Sequence, residues 1–383
     1  MVTVTERIYL DHAANAPMAE SVIDLMQTCM RRHPGNPSQA HAVQAKALIE
    51  TAREHIATLL GAQQATLVFT SGATEADNAA ILGGVRFRPE ANEIVSAQTE
   101  HAAVLETIHR LVHERGFKVR WCQPNADGVV EPDAVQAVLS ERTALVSLML
   151  VNNETGVVQD VASIANLCRA HAVPMHVDAA QAPGRVPIAF DAWGIDAMSV
   201  SAHKQHGPVG VGALVLKDPL MWTPWMMGGG QQRGLRSGTL PLASIVGMGE
   251  AYRLAAEDEA TRPDHYRALT QRLWDQLAPL GAVRCNGAGA QRSGHILSVS
   301  FDGVDGDALH ALLGRALWIS RGSACHSESG EPSKVLRSLG LSDPTMAATV
   351  RLSVGRDTTP EQIDAAALAI NEAYRHCVRL AGL

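Results

Sequence analysis

The sequence predicts an α/β fold: a large domain with a mostly parallel seven-stranded sheet, followed by a smaller α+β domain. Between about residue 65 and residue 216, seven short β-branched runs alternate with longer helical patterns: Thr66–Thr70, Glu93–Ala97, Val119–Cys122, Ala144–Val151, Val173–Val177, Ala197–Ser201 and Gly212–Leu216. Strands separated by crossover helices imply a sheet covered on both faces. A charged stretch, Ala251 to Gln276, then reads as one long exposed helix, after which short strands such as Ile296–Phe301 mix with helices. At 383 residues the chain also exceeds one average domain. The expected division is 15–255 for the large domain, with 1–14 and 256–383 forming the small one. Pro360 to Leu383 reads as a closing amphipathic helix.

A hydrophobic content of 46% and a formal charge of -7 describe a globular protein whose surface is not built mainly for phosphate backbones or anionic lipid. Nucleic acid is not an expected direct partner. No apolar run approaches the roughly 20 residues of a membrane helix, and Met1 to Leu10 lacks a signal-peptide layout, so a cytoplasmic location is expected. Six cysteines (Cys29, Cys122, Cys168, Cys285, Cys325, Cys377) are scattered with no CxxC pair, which suggests neither a disulfide framework nor a zinc ribbon. His109 and His113 lie four apart without the glutamate of a zinc-protease motif, so no metal site is expected.

Parallel sheets bind ligands beyond the carboxyl ends of their strands. The first strand runs into Ser71-Gly72-Ala73-Thr74-Glu75, where glycine and hydroxyl residues precede a helix whose unpaired N–H groups suit a phosphate. Its simpler reading is a capping box of Ser71 or Thr74 with a following acid. Another strand ends on Asp178, with Gln181 close behind; a carboxylate there is either a helix cap or the partner of a cation. The next strand leads through Ser201-Ala202-His203 to Lys204. A lysine beyond a buried strand end can act as a Schiff-base nucleophile, although most lysines are solvated charges. Together a phosphate-binding helix start, an aspartate and a lysine are the three fixtures of a pyridoxal phosphate site. His101, after another strand end, is placed to stack on the cofactor ring.

With these residues the sequence resembles the class V, fold-type I pyridoxal phosphate enzymes, and within them the cysteine desulfurases of the NifS/IscS type. Matching stretches run nearly end to end: Tyr9-Leu10-Asp11, Gly35-Asn36-Pro37-Ser38, Phe69 through Asn78, Thr99-Glu100-His101, Val151 through Gln159, His176 through Gln181, Ser201 through Lys204, Gly228 through Thr239, and Gly322 through Pro332. The resemblance implies that Lys204 holds the cofactor aldehyde, Asp178 pairs the pyridine nitrogen, His101 stacks on the ring and Gln181 meets the phenolic oxygen. It assigns the phosphate to Thr74, Ser201 and His203 and counts Ala73 among the cofactor-binding residues, with Thr239 reaching the phosphate of a neighbouring subunit in a homodimer with shared sites. Asn153 and Arg351 match positions associated with the substrate carboxylate, a task suited to a guanidinium fork. Cys325, in Gly322-Ser323-Ala324-Cys325, matches the nucleophile, and its spacing to Glu331-Pro332 matches the longer loop of the NifS/IscS group.

The implied reaction converts L-cysteine to L-alanine. A persulfide forms on Cys325 and passes to an acceptor protein, either a scaffold for iron–sulfur cluster assembly or a dedicated sulfur carrier. His101 or His326 would take the proton of the thiol. A selenocysteine lyase and a catalytically silent platform in a sulfur-transfer complex are the alternative functions. The sequence departs from the family pattern at Asn15-Ala16, Ala202, Val209 and Arg321. Arg321, four residues before Cys325, is expected either to lower the thiol pKa or to point to solvent, with solvent favoured.

Overall fold

The computed structural model describes residues 7–33, 36, 37, 39, 42–322 and 332–382. The seven expected runs form one sheet: β1 (Thr66–Thr70), β2 (Glu93–Ala97), β3 (Lys118–Cys122), β4 (Thr143–Met149), β5 (Met175–Asp178), β6 (Ala197–Ser201) and β7 (Gly212–Leu216). Their spatial order is β1-β7-β6-β5-β4-β2-β3. Only the two pairs that β7 makes, with β1 and β6, are antiparallel, so β1 to β6 all run the same way. Every residue of β4, β5, β6 and β7 is buried, as expected of a sheet covered on both faces.

Strand limits differ from expectation in three strands, by one or two residues at each end concerned. β3 begins one residue earlier, at Lys118. β4 stops at Met149 instead of Val151 because Asn152 turns the chain, its side-chain oxygen accepting the N–H groups of Glu154 and Thr155 at 3.0 Å each. β5 begins at Met175 because Pro174 has no N–H to donate.

The expected long helix over Ala251–Gln276 is instead two helices, Leu242–Glu257 and Arg262–Leu277. Pro263 sits in the first turn of the second, where a missing N–H is tolerated but continuation from a preceding turn is not. Arg262 closes the break by donating to Leu254 O at 3.0 Å and Asp258 Oδ2 at 2.8 Å. The first of these helices is not exposed either: Ala251, Tyr252, Leu254 and Ala255 are buried. The last helix, Pro360–Ala381, opens on a capping box between Thr359 and Gln362.

Downstream of the break an antiparallel sheet forms from Val283–Cys285, Ile296–Phe301, Thr349–Ser353 and Ser320–Arg321. The N-terminal strand Ile8–Tyr9 joins this part of the molecule by pairing in parallel with Leu317–Trp318. One core holds Ile56, Phe69, Val177, Val200 and Tyr252; another holds Leu10, Tyr266, Leu273, Phe301, Leu352 and Ile370. We propose a two-domain division along the seam between these cores. Among the described residues no helix is long and apolar enough to cross a membrane.

Candidate active site

Because β1 to β6 run the same way, their carboxyl ends meet at one edge of the sheet, and a cavity of about 420 Å³ opens there. Its wall takes Ser71–Thr74 from beyond β1, His101 from beyond β2, Asn153 from beyond β4, Asp178 from the end of β5 and Gln181 from beyond it, and His203 and Lys204 from beyond β6. Arg351 enters from the small antiparallel sheet, and Ala13 and Ala14 close one side. The segment that leads into the reversed β7 adds Val209 and Gly210 to the same space.

The segment after β1 lies flat against β7 because Gly212 carries no side chain. A Cβ there would stand 2.6 Å from Val200 O and 2.7 Å from the Gly72 backbone. Helix Ala73–Gly84 follows, with Gly72 at its N-cap and no side-chain cap. The expected capping box of Ser71 or Thr74 is therefore absent. Glu75 instead reaches back to accept the Ser71 N–H at 2.7 Å. This leaves the first-turn N–H groups of the helix facing the cavity, with the positive end of its dipole.

On the cavity floor, Asp178 Oδ1 accepts the Ala180 N–H at 2.8 Å in a tight local turn. His176, two residues earlier and so on the same face of β5, bridges neighbouring strands: its Nδ1 lies 2.9 Å from Ser147 Oγ and its Nε2 2.9 Å from Ser199 Oγ. Burial lowers the His176 pKa to about 4, so the ring is neutral at physiological pH. Asp77 Oδ1 stands 3.5 Å from the same Nε2. Burial first, then proximity to Asp178, raises the Asp77 pKa well above the usual carboxylate range. Burial thus acts against charge on both partners of this Asp77–His176 approach. Glu100, whose Oε1 accepts the Met149 N–H, is likewise pushed upward by burial.

His101 caps helix Ala102–Arg115, its Nδ1 accepting the Ala103 N–H at 3.1 Å. Gln181 is anchored from both ends of its amide: Nε2 donates to Ala13 O at 2.7 Å, and His295 Nε2 lies 3.2 Å from its oxygen. Burial, with Lys204 and Arg185 nearby, lowers the His203 pKa to about 4. Arg351 is 1% exposed; it donates to Asn153 O at 2.9 Å and to Asp11 and Ser320 at 2.8 Å each. Its Nε has no partner among the described residues.

The aminotransferase class-V family matches residues 8–366. This chain belongs to that family. It is 44% identical over 365 residues to the cysteine desulfurase IscS of Histophilus somni, covering 93% of this chain and 90% of that protein. It aligns with the solved structure of a NifS-like protein at a TM-score of 0.89 and 32% identity, over 97% of this chain and 100% of that one. With SspA in complex with cysteine the TM-score is 0.80 and the identity 34%, over 91% of this chain and 99% of that chain. The class-V chain is a pyridoxal phosphate-dependent enzyme, a cysteine desulfurase.

The cavity fits that cofactor on its own geometry. A helix start offers N–H groups to a phosphate, the Ser201 hydroxyl at the end of β6 is buried with no partner among the described residues, and an aspartate and a lysine close adjacent strands. Of the expected residues, Ala73, Thr74, His101, Asn153, Asp178, Gln181, His203, Lys204 and Arg351 share the cavity wall. Thr239 is exposed and is not part of that wall. Cys325 and His326 lie outside the described residues. Arg321 pairs with Asp307 at 2.7 Å, both side chains largely exposed, which matches the favoured solvent-facing reading. Sequence reasoning missed, as site residues, Asp77 and the Val209–Gly210 segment that leads into β7. Asp77 stood within the quoted Phe69–Asn78 stretch, but no sequence signal announces that β7 is reversed.

Proposed function

We propose that this cysteine desulfurase converts L-cysteine to L-alanine, with Lys204 as the amine that holds the cofactor and Cys325 as the sulfur acceptor. The observation that supports this most is the convergence of Lys204, Asp178 and the Ala73–Gly84 helix start at one sheet edge. When bound, pyridoxal phosphate supplies an aldehyde that condenses with amines and a ring that accepts electrons from the carbon beside the amine. Asp178 would hold a proton on the pyridine nitrogen, His101 would cover the ring face, and Gln181 would donate its second amide N–H to the phenolic oxygen. The first-turn N–H groups at Ala73 and Thr74, with the hydroxyls of Thr74 and Ser201 and the His203 ring, would bind the phosphate. Arg351 and Asn153 would orient the substrate carboxylate.

Lys204 Nζ would then remove the α-proton of the substrate. The Cys325 thiolate attacks the substrate sulfur: an S–S bond forms, the Cβ–S bond breaks, and the three-carbon remainder takes up protons and leaves as alanine. The other five thiols are buried, and burial pushes Cys122 and Cys168 up to about 12, far from thiolate at neutral pH. The persulfide would pass to an acceptor protein in the cytoplasm. A homodimer would bring Thr239 of each subunit to the other's phosphate; its exposed position is compatible with that role.

Two substitutions test the assignment. Cys325→Ala should abolish persulfide formation and alanine release while cofactor absorbance persists; retained cysteine turnover would move the nucleophile elsewhere. Lys204→Ala should remove the borohydride-reducible linkage between protein and cofactor, and its persistence would defeat the lysine assignment.

A further inference from the structure

Glu75 is the third residue of helix Ala73–Gly84, whose start forms the proposed phosphate cradle. Its carboxylate accepts four N–H groups: Ser71 N at 2.7 Å, Trp225 Nε1 at 3.0 Å, Arg236 Nε at 3.0 Å and Arg236 Nη2 at 3.3 Å. Helix capping accounts for only the first. The other three come from the two ends of the segment 225–236, so one side chain of the cradle gathers both ends of that segment. Burial works to raise the Glu75 pKa, but the hydrogen bonds from Arg236, Trp225 and Ser71 outweigh it and hold it at about 2. The Glu75 and Arg236 side chains are 15% and 16% exposed, sheltered enough for their charges to matter to each other.

The same segment is fastened a second time. Gln232 Oε1 accepts the Phe69 N–H at 2.6 Å, and Gln232 Nε2 donates to Phe69 O at 2.8 Å. Phe69 lies in β1, the sheet's edge strand, so this amide pairs with a strand edge as another strand would. Gln232 and Arg233 hold φ angles of 51° and 60°, a left-handed conformation costly for non-glycine residues and sustained here by these bonds. Both fastenings meet the chain that runs from Phe69 to Glu75 through the cradle. Thr239 lies three residues beyond Arg236.

We propose that Glu75 is a positioning residue that ties the phosphate cradle of one protomer to the Arg236–Thr239 segment presented to a second copy of this chain, so that the two cofactor sites of a dimer are coupled through the Glu75–Arg236 pair. This rests on the reading above that Thr239 serves the neighbouring subunit's phosphate. Charge sets the sign of the effect. A carboxylate in a phosphate cradle opposes the anion unless a cation neutralises it, and Arg236 is that cation.

The test is pyridoxal phosphate binding to the cofactor-stripped full-length protein, followed by absorbance, in the wild type and five variants. Arg236→Gln should weaken binding about 30-fold, because the Glu75 carboxylate loses the cation that neutralises it. Adding Glu75→Gln to that variant should restore about half of the loss on a logarithmic scale, a rescue that a merely structural loss would not give. Thr239→Ala should weaken binding about tenfold alone but less than about twofold in the Glu75→Gln background, the non-additivity expected of groups acting as one unit. An unchanged Thr239→Ala effect in that background would overturn the coupling while leaving the dimer reading intact. No Thr239→Ala effect in the wild type, or a monomer by sedimentation, would overturn the dimer reading and this inference with it. Should Glu75→Gln misfold by circular dichroism, the cycle of Arg236→Gln with Thr239→Ala is read by the same criterion.

Discussion

Arg351 shows how a single residue can serve both structure and chemistry. It is buried, joined to Asp11 and to Asn153 O through its terminal nitrogens, and its Nε lacks a partner among the described residues. An unpaired N–H buried at a cavity wall is costly, and a substrate carboxylate would remove that cost. Arg351→Lys keeps the charge but loses the planar fork. We expect KM for cysteine to rise about tenfold or more while cofactor absorbance stays as in the wild type; steady-state kinetics alongside an absorbance spectrum checks this. Asp178 and Lys204, by contrast, owe their placement to strand ends. Asp77 and Glu100 beside them are carboxyls that burial drives toward the neutral form.

At the scale of elements, the reversed strand β7 does most to shape the site. It brings Gly210 and Gly212 to the edge where the other strands end, and Gly212 lets the Ser71–Thr74 segment rest on the sheet. Gly212→Ala would force a methyl group to within 2.7 Å of backbone on both sides. Backbone cannot yield as a flexible side chain can, so the substitution should cost about 1–3 kcal/mol in stability. It should also displace the phosphate cradle. Urea unfolding, with cofactor titration of the folded fraction, should show both losses; an unchanged cofactor affinity would mean that the segment does not depend on this contact.

Across the whole molecule, polar contacts bridge the seam between the two cores close to the cavity. Arg351 meets Asn153, His295 meets Gln181, and Ser333 Oγ donates to Glu154 Oε2 at 2.5 Å. Burial raises the Glu154 pKa to about 7, against the lowering effects of Ser333 and Arg351. A carboxyl whose folded pKa is raised stabilises the fold below its unfolded pKa, near 4.5, and that stability is lost as pH climbs through about 7. Glu154→Gln keeps the shape without the titration. Relative to the wild type it should gain stability as pH rises from about 4.5 to 7, by on the order of 3 kcal/mol at the plateau. Urea midpoints of both proteins across pH 4 to 8 would show this, and a constant difference would refute it.

Seven strands, the helix start after β1, Asp178 and Lys204 were legible from the sequence alone. Apolar runs of strand length, and polar residues that end them, are local features that the chain carries wherever it folds. The resemblance carried in the motifs added Asn153, Arg351, Thr239 and Cys325, which no local pattern reveals. Tertiary structure decided the rest. Strand order and the reversal of β7 depend on pairings between distant segments, so Val209 and Gly210 could not be placed at the site in advance. The break at 258–261 was open to inference from Pro263, but the burial of the preceding helix was not, since burial depends on which face meets a neighbour. Glu75 read as an ordinary capping acid, and only folding set Trp225 and Arg236, more than a hundred residues away, against it. Sequence determines which groups can do chemistry; the sheet edge determines which of them meet.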